Sequence, residues 1–274
     1  MARLPLLPLL ISGTELHAQL HEKNLLIVDI GKLSIYNQAH VPGAIHVDYQ
    51  RLQKGELPVA GLLPSAEQIA ALLSEIGITP ETHVVAYDDE GGTRSARFLW
   101  LLDAIGHRYF SFLDGGIHAW LADDLPYDVE PAIATPAQYP LAALQLKPQV
   151  TLEYLLAHYG DGDIQIWDAR TREEFVGERA MAQRSGHIPG AVHYNWETAI
   201  DRARDSRVRD LDLIRAELRA AGITGDKKII THCQTHHRAS FTWLLGKLLG
   251  FDIAGYPGAW SEWGNHPTTP IATA

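Results

Sequence analysis

The only cysteine of this 274-residue chain, Cys233, stands in the run Thr231-His-Cys-Gln-Thr-His-His-Arg238, directly after the apolar stretch Lys228 to His232. A residue leaving the C-terminal end of a buried parallel strand sits where open α/β sheets bind ligands. A tight loop there turns successive backbone N–H groups inward. The helix expected to begin near Arg238 or Ala239 adds its positive end, so the loop forms a nest for an anion. Such surroundings lower a thiol pKa from about 8.5 into the range where thiolate predominates at neutral pH. Arg238 strengthens the effect, as do His232, His236 and His237 if protonated. Cys233 is therefore expected to be a nucleophile rather than a small buried hydrophobe. The histidines otherwise read as solvent-facing loop residues with a modest electrostatic role. Adjacent His236 and His237 tend to diverge and no second cluster with ligand spacing accompanies them, so no metal is expected.

The elements that must hold this loop emerge from an internal duplication. The segment His40 to His46 (HVPGAIH) recurs as His187 to His193 (HIPGAVH), and upstream of each lies an apolar strand ending in Asp, Leu25 to Asp29 and Ile164 to Asp168. Thr14-Glu15-Leu16 answers Thr151-Leu152-Glu153, each opening a helical pattern with a Thr suited to N-capping. Helices ending at Ile76 to Thr79 and Ala221 to Thr224 feed second strands, His83 to Tyr87 and Lys228 to His232. Each half closes on a matching segment, Leu113 to Trp120 and Tyr256 to Trp263. Strands alternating with helices predict an α/β fold, two tandem domains that each hold a small, mainly parallel sheet flanked by helices. The expected boundaries are 1–130, a linker over 131–148, and 149–274. The join lies among Pro126, Pro131, Pro136, Pro140 and Pro148, where a long regular element is disfavoured.

Because the halves align, one serves as a control for the other. Matching Arg94 with Arg238 places Asp89 opposite Cys233. The Asp89 carboxylate is expected to fill the anion nest of its own loop, with Arg94 as partner. Asp168 and His187, like Asp29 and His40, occur in both halves and therefore read as structural.

Composition bounds the partners. The net charge is −10, with 46% hydrophobic and 20% charged residues, which fits a globular protein and argues against nucleic-acid or anionic-membrane binding. Residues 1–140 hold 8 Lys and Arg against 17 Asp and Glu, whereas residues 141–274 hold 15 against 16, so anion chemistry belongs in the second half. A single Cys excludes a disulfide framework and fits a reducing compartment. The stretch Leu4 to Ile11 lacks the flanks of an export signal, and a cytoplasmic protein is expected. A monomer is also expected, since two domains can bury a cleft without a second chain.

The paired strand-end Asp29 and Asp168, the paired His-x-Pro-Gly-Ala segments and the closing Trp120 and Trp263 resemble the tandem-domain rhodaneses, the thiosulfate:cyanide sulfurtransferase family. The loop Cys233 to Arg238 (CQTHHR) is similar to that of a bacterial thiosulfate rhodanese subgroup. It differs from the Cys-Arg-Lys-Gly-Val-Thr loop of the vertebrate enzyme and the Cys-Gly-Ser-Gly-Val loop of mercaptopyruvate sulfurtransferases. The resemblance implies an inactive N-terminal domain and a catalytic C-terminal one. It further implies a double displacement in which Cys233 takes the outer sulfur of thiosulfate as a persulfide and passes it to cyanide or a thiol, with no bound cofactor. The donor would be held by Arg238, Gln234, Thr235, His236 and His237, with Arg238 drawing in the sulfonate group. Arg170 and Arg172 read as structural partners of nearby carboxylates, and Arg179 and Arg184 as outside candidates for donor binding. Trp196 is expected to pack in the core or at a domain interface, or to line the cleft.

Competing readings differ in the loop. Cysteine phosphatases of this topology have five residues between Cys and Arg, whereas Gln234 to His237 are four, a smaller cradle suited to one sulfur atom. Transfer from 3-mercaptopyruvate, or a sulfur-carrier or regulatory module with slow turnover, would use the same thiol.

Overall fold

A computed structural model of the chain describes residues 7–140 and 147–273. Residues 1–6, 141–146 and 274 lie outside the described residues.

 The export-signal reading of Leu4 to Ile11 thus falls partly on residues 1–6, and the linker reading over 131–148 partly on residues 141–146. No helix among the described residues is long and apolar enough to cross a membrane.

The chain divides into two compact units, Met1–Leu52 with Pro64–Gln145 and Asp201–Val208, and Gln53–Leu63 with Leu146–Ile200 and Arg209–Ala274. Each unit therefore takes a short segment from beyond its main stretch of sequence. In the first unit, strands β1 (Leu10–Ile11), β2 (Leu25–Asp29), β3 (Ile45–His46), β4 (His83–Tyr87) and β5 (Phe110–Leu113) form a parallel sheet in the order β1-β5-β4-β2-β3. Helices α1 (Gly13–His17), α2 (Leu33–Tyr36), α3 (Ala66–Glu75), α4 (Thr93–Ala104) and α5 (Gly116–Ala122) complete it. In the second, β6 (Ile164–Asp168) and β7 (Val192–His193) join two later strands, the ribbon β8 (Ile200–Asp201) and β9 (Arg207–Val208) intervening in sequence. These later strands, β10 (Lys228–His232) and β11 (Ile253–Gly255), complete a parallel sheet in the order β11-β10-β6-β7. Its helices are α6 (Leu152–His158), α7 (Arg172–Val176), α8 (Leu211–Ala221), α9 (Arg238–Leu248) and α10 (Ala259–Trp263). The sequence expectation of α/β domains with parallel sheets is met, and the four strands read from it match residue for residue.

Local physics explains the elements. β4 is buried along its whole length, as a central parallel strand must be when both faces are covered. Thr151 caps α6 as expected, but Ser12 and not Thr14 caps α1, because Ser12 exchanges a reciprocal pair of hydrogen bonds with Glu15. The His-x-Pro-Gly-Ala segments are built alike. His40 stacks on Tyr36 at 3.9 Å and its Nδ1 lies 2.8 Å from the Tyr36 carbonyl, while His187 stacks on Phe175 at 3.8 Å with Nδ1 2.8 Å from the Phe175 carbonyl. The following Gly43 and Gly190 take φ of +74° and +78°, a left-handed turn that a side chain would strain. Trp120 and Trp263 each donate an indole N–H to a proline carbonyl, Pro126 at 2.7 Å and Pro270 at 2.8 Å.

Candidate active site

Three registers place the two loops on one another. β2 and β4 pair Asp29 with Tyr87, as β6 and β10 pair Asp168 with His232. The helix after the loop begins at Thr93 in one unit and Arg238 in the other. The carbonyl of Asp88 accepts from the amide of Ile117, as that of Cys233 accepts from Trp260. All three make Asp88 the counterpart of Cys233, which corrects the assignment of Asp89 by one residue. Counting back from Arg94 misleads because Arg94 lies inside α4, one residue past its start, and pairs with Glu90 at 2.7 Å.

Asp88 also takes the role expected of Asp89. Its Oδ1 accepts from the amides of Glu90 (2.8 Å) and Gly92 (2.9 Å), and its Oδ2 from the amides of Arg94 (2.9 Å) and Ser95 (2.8 Å) and from the Ser95 hydroxyl (2.9 Å). Asp89 instead turns to Lys32, accepting from its amide at 3.0 Å and from its ammonium at 3.3 Å. The loop without the thiol is thus an anion nest already filled by a carboxylate. Replacing Asp88 by Ala should cost about 2–4 kcal/mol, because several donors lose a charged acceptor. Asp89→Ala, which removes two bonds to the half-exposed Lys32, should cost less, about 1 kcal/mol. Urea unfolding of the two variants checks the order.

Cys233 is buried against Ala169 and Ala239, with Trp196 packed beside it. Trp196 packs against this cluster, as the core reading expects, and its ring meets Phe241 edge-on at 6.0 Å. Burial opposes the Arg238 charge, but the Glu174 hydrogen bonds and the nearby Cys233 and Glu174 groups outweigh it and hold the guanidinium protonated. Arg238 is not a free cation facing the donor. Its Nη1 and Nη2 donate to the two carboxylate oxygens of Glu174 at 2.6 and 2.9 Å. Glu174, nearly fully buried, is also the N3 residue of α7, where Thr171 caps it. Burial works against the Glu174 charge, but the Arg238 hydrogen bonds and charge outweigh it and hold its carboxyl below the usual range. Sequence reasoning missed this partner: the Thr171-x-x-Glu174 spacing signals a capping box and gives no hint of an arginine 64 residues away.

The loop histidines are not solvent-facing. His232 and His236 are fully buried, and His236 adopts φ of +57°. The His236 ring lies on Gly255 of β11, where a Cβ would fall 2.0 Å from Nε2. Ser240 holds the same histidine, its hydroxyl donating to the His236 carbonyl at 2.6 Å. This buried ring shapes the loop, which corrects the expectation of an exposed donor-binding side chain. Gln234 donates to the Met181 carbonyl at 2.8 Å, and the Thr235 carbonyl packs against Gly61. His237 is half-buried and directly precedes α9. Beneath the thiol, Arg170 makes a buried ion pair with Asp168 at 2.6 Å, and His232 Nε2 stands 3.5 Å from the same carboxylate. Burial opposes the Asp168 charge, yet His232 when protonated and the Arg170 guanidinium hold its carboxyl down at about 2. Burial pushes the His232 imidazole down in turn, against the pull of Asp168.

The other candidates resolve as follows. Arg184 donates to the carbonyls of Thr269 (2.8 Å), Trp263 (3.1 Å) and His266 and to the Thr269 hydroxyl, a structural clasp rather than a donor site. Arg172 and Arg179 are exposed. Arg170, as expected, serves a carboxylate.

In the first unit the equivalents of Arg170 and His232 are Gly31 and Tyr87, neither of them cationic, and His46 offsets the Asp29 charge only in part. Burial pushes the Asp29 carboxyl up to about 6, against the hydrogen bonds of Tyr87 and Gly31. The folded value lies above the unfolded one of about 3.9. The folded protein therefore takes up a proton as pH falls through about 6, and this group destabilises it most above that pH and least below about 4. Asp29→Asn should gain about 1–2 kcal/mol at pH 8 and little at pH 4; an equal change at both pH values in urea unfolding would refute the assignment.

The Rhodanese-like domain family matches residues 12–123 and 151–266. The chain is 46% identical over 267 residues to the thiosulfate sulfurtransferase of Azotobacter vinelandii, with 97% of each chain covered. It is 44% identical to that of Pseudomonas aeruginosa, again with 97% of each covered. The solved structure of the anaerobic ergothioneine biosynthesis enzyme from Chlorobium limicola shares the fold, with a TM-score of 0.87 at 20% identity over 97% of this chain and 70% of that one. With both halves matched and near full-length relatives at this identity, the chain belongs to the rhodanese family, in which it carries two tandem domains.

Proposed function

We propose that the chain is a thiosulfate sulfurtransferase in which Cys233 carries the sulfur and the first unit is catalytically silent. The observation that supports this most directly is the Asp88 nest. A carboxylate oxygen stands two bonds beyond Cβ, as the terminal sulfur of a cysteine persulfide does, and in the first unit two loop amides take one oxygen while two amides of the α4 start and a hydroxyl take the other. By register the matching amides belong to Thr235, His237, Ala239 and Ser240; that of Ser240 is given to the His237 carbonyl at 3.2 Å, and the amides of Thr235, His237 and Ala239 are those we assign to the persulfide on Cys233.

The thiolate of Cys233 attacks the outer sulfur of thiosulfate, a new S–S bond forms, and the original S–S bond breaks with its electron pair leaving on sulfite. The persulfide then presents its terminal sulfur to cyanide or a thiol. With cyanide, the carbon attacks that sulfur, thiocyanate departs and the thiolate returns. Arg238, held on the sulfur by Glu174, stabilises the thiolate in both half-reactions. Of the loop residues expected to bind the donor, Thr235 and His237 do so through their backbone amides, while the Gln234 and His236 side chains hold the loop. A reducing compartment suits a lone working thiol, and we place the protein in the cytoplasm.

The test is intact mass before and after thiosulfate, beside a Cys233→Ala control, followed by cyanide. A gain of one sulfur that requires Cys233 and is discharged by cyanide supports the reading. No gain with thiosulfate overturns the donor, and no gain from 3-mercaptopyruvate either overturns the sulfurtransferase.

A further inference from the structure

Between the two units, the loop copies differ in more than the thiol. Tyr36 and Phe175 stack on equivalent histidines, which aligns Ile35 with Glu174. The helix starts align Thr93 with Arg238. Both members of the Glu174–Arg238 pair are therefore present in the copy that has the cysteine, and both are replaced by uncharged residues in the copy that lacks it. A pair needed only to close the fold would have no reason to follow the thiol, since the other unit forms the same helices with Ile35 and Thr93 at these positions.

The geometry points to Glu174 as a positioning and donor-selecting residue that fixes the Arg238 guanidinium on the Cys233 sulfur and sets a buried negative charge against anionic reagents approaching that sulfur. The two carboxylate oxygens occupy both terminal nitrogens of the guanidinium, at 2.6 and 2.9 Å, which fixes its plane. The Thr171 amide also donates to Glu174 Oε2, at 3.1 Å, so the carboxylate itself is held by the start of α7. Arg238 therefore contributes direction toward the sulfur while its net charge is offset. A donor must deliver its own anionic group largely to backbone amides. This favours a donor whose sulfur is attached directly to a compact anion over one whose distant carboxylate needs a free guanidinium.

The inference rests on Cys233 being the reactive thiol, and its test can fail separately from the proposed reaction. Cys233 is alkylated with iodoacetate and with iodoacetamide, an anionic and a neutral reagent of nearly the same shape, in the wild type and in Glu174→Gln and Glu174→Asp. Steady-state kcat and KM for thiosulfate are measured alongside. In Glu174→Gln the ratio of iodoacetate to iodoacetamide rates should rise about tenfold and the KM should fall, because the offsetting charge is gone. The kcat should fall as the guanidinium loses its second anchor. Glu174→Asp keeps the charge but draws the carboxylate back, so the rate ratio should stay near the wild-type value while kcat falls. An unchanged ratio in Glu174→Gln, or an unchanged kcat in Glu174→Asp, would overturn the inference. Should the Gln variant not fold, the Asp variant alone decides through its kcat. If the wild type takes no sulfur from thiosulfate while the alkylation ratio moves as expected, the proposed reaction fails and the charge assignment to Glu174 stands.

Discussion

Cys233→Ser should lower kcat/KM for thiosulfate and cyanide by at least about 10⁴, the largest effect expected of any single substitution in this chain. The change is one atom, and the serine fits the pocket formed by Ala169, Ala239 and Trp196. What disappears is the chemistry: a hydroxyl stays protonated at neutral pH, is a weak nucleophile, and cannot hold a sulfane sulfur through the second half-reaction. The cradle remains, so thiosulfate binding should weaken much less than turnover. Activity above about 1% of wild type in a thiocyanate assay would mean that the sulfur is carried elsewhere.

The second large effect lies below the loop and concerns stability. Arg170→Ala should cost about 3–5 kcal/mol, because Asp168 would be left buried beside a histidine that is itself hard to charge. Arg170 also stacks its guanidinium over Trp260 at 4.4 Å and donates to the Gly186 carbonyl at 2.7 Å, so the loss includes packing and a hydrogen bond. The pH dependence identifies the cause. In the wild type the Asp168 carboxyl, at about 2, lies below its unfolded value of about 3.9, so its contribution is full above pH 4 and is lost as pH falls toward 2. The variant should therefore differ most from wild type above pH 4 and least near pH 2–3. A difference independent of pH in chemical unfolding would assign the cost to packing alone. Arg170→Lys should recover only part of it, since a lysine cannot repeat the paired bonds to both carboxylate oxygens.

Much of the architecture was legible because it is written twice. The strand ends at Asp29 and Asp168, the His-x-Pro-Gly-Ala turns and the closing tryptophans recur in order, and each rests on short-range pattern. The loop bearing Cys233 was legible for the same reason, as an apolar strand running into a polar turn before a helix. Errors arose where the outcome depends on residues far apart in sequence. Choosing the arginines as anchors shifted the control loop by one residue; counting from the strand ends, Tyr87 against His232, gives Asp88 directly. His236 looked exposed because it is polar and in a loop, yet its place is made by a missing side chain at Gly255. Glu174 carried no signal of its own beyond a capping spacing, and its partner became visible only when folding set it against Arg238.

The carboxylate of Asp88 has one more consequence. After a duplication, the copy that loses its reaction is commonly expected to drift at its former active position. Here drift is confined: a small apolar residue at 88 would leave loop amides and the Ser95 hydroxyl without their charged partner. An acidic residue at this position satisfies the loop without any external anion. Selection for stability alone is then enough to keep a carboxylate in this loop where the other copy has its thiol.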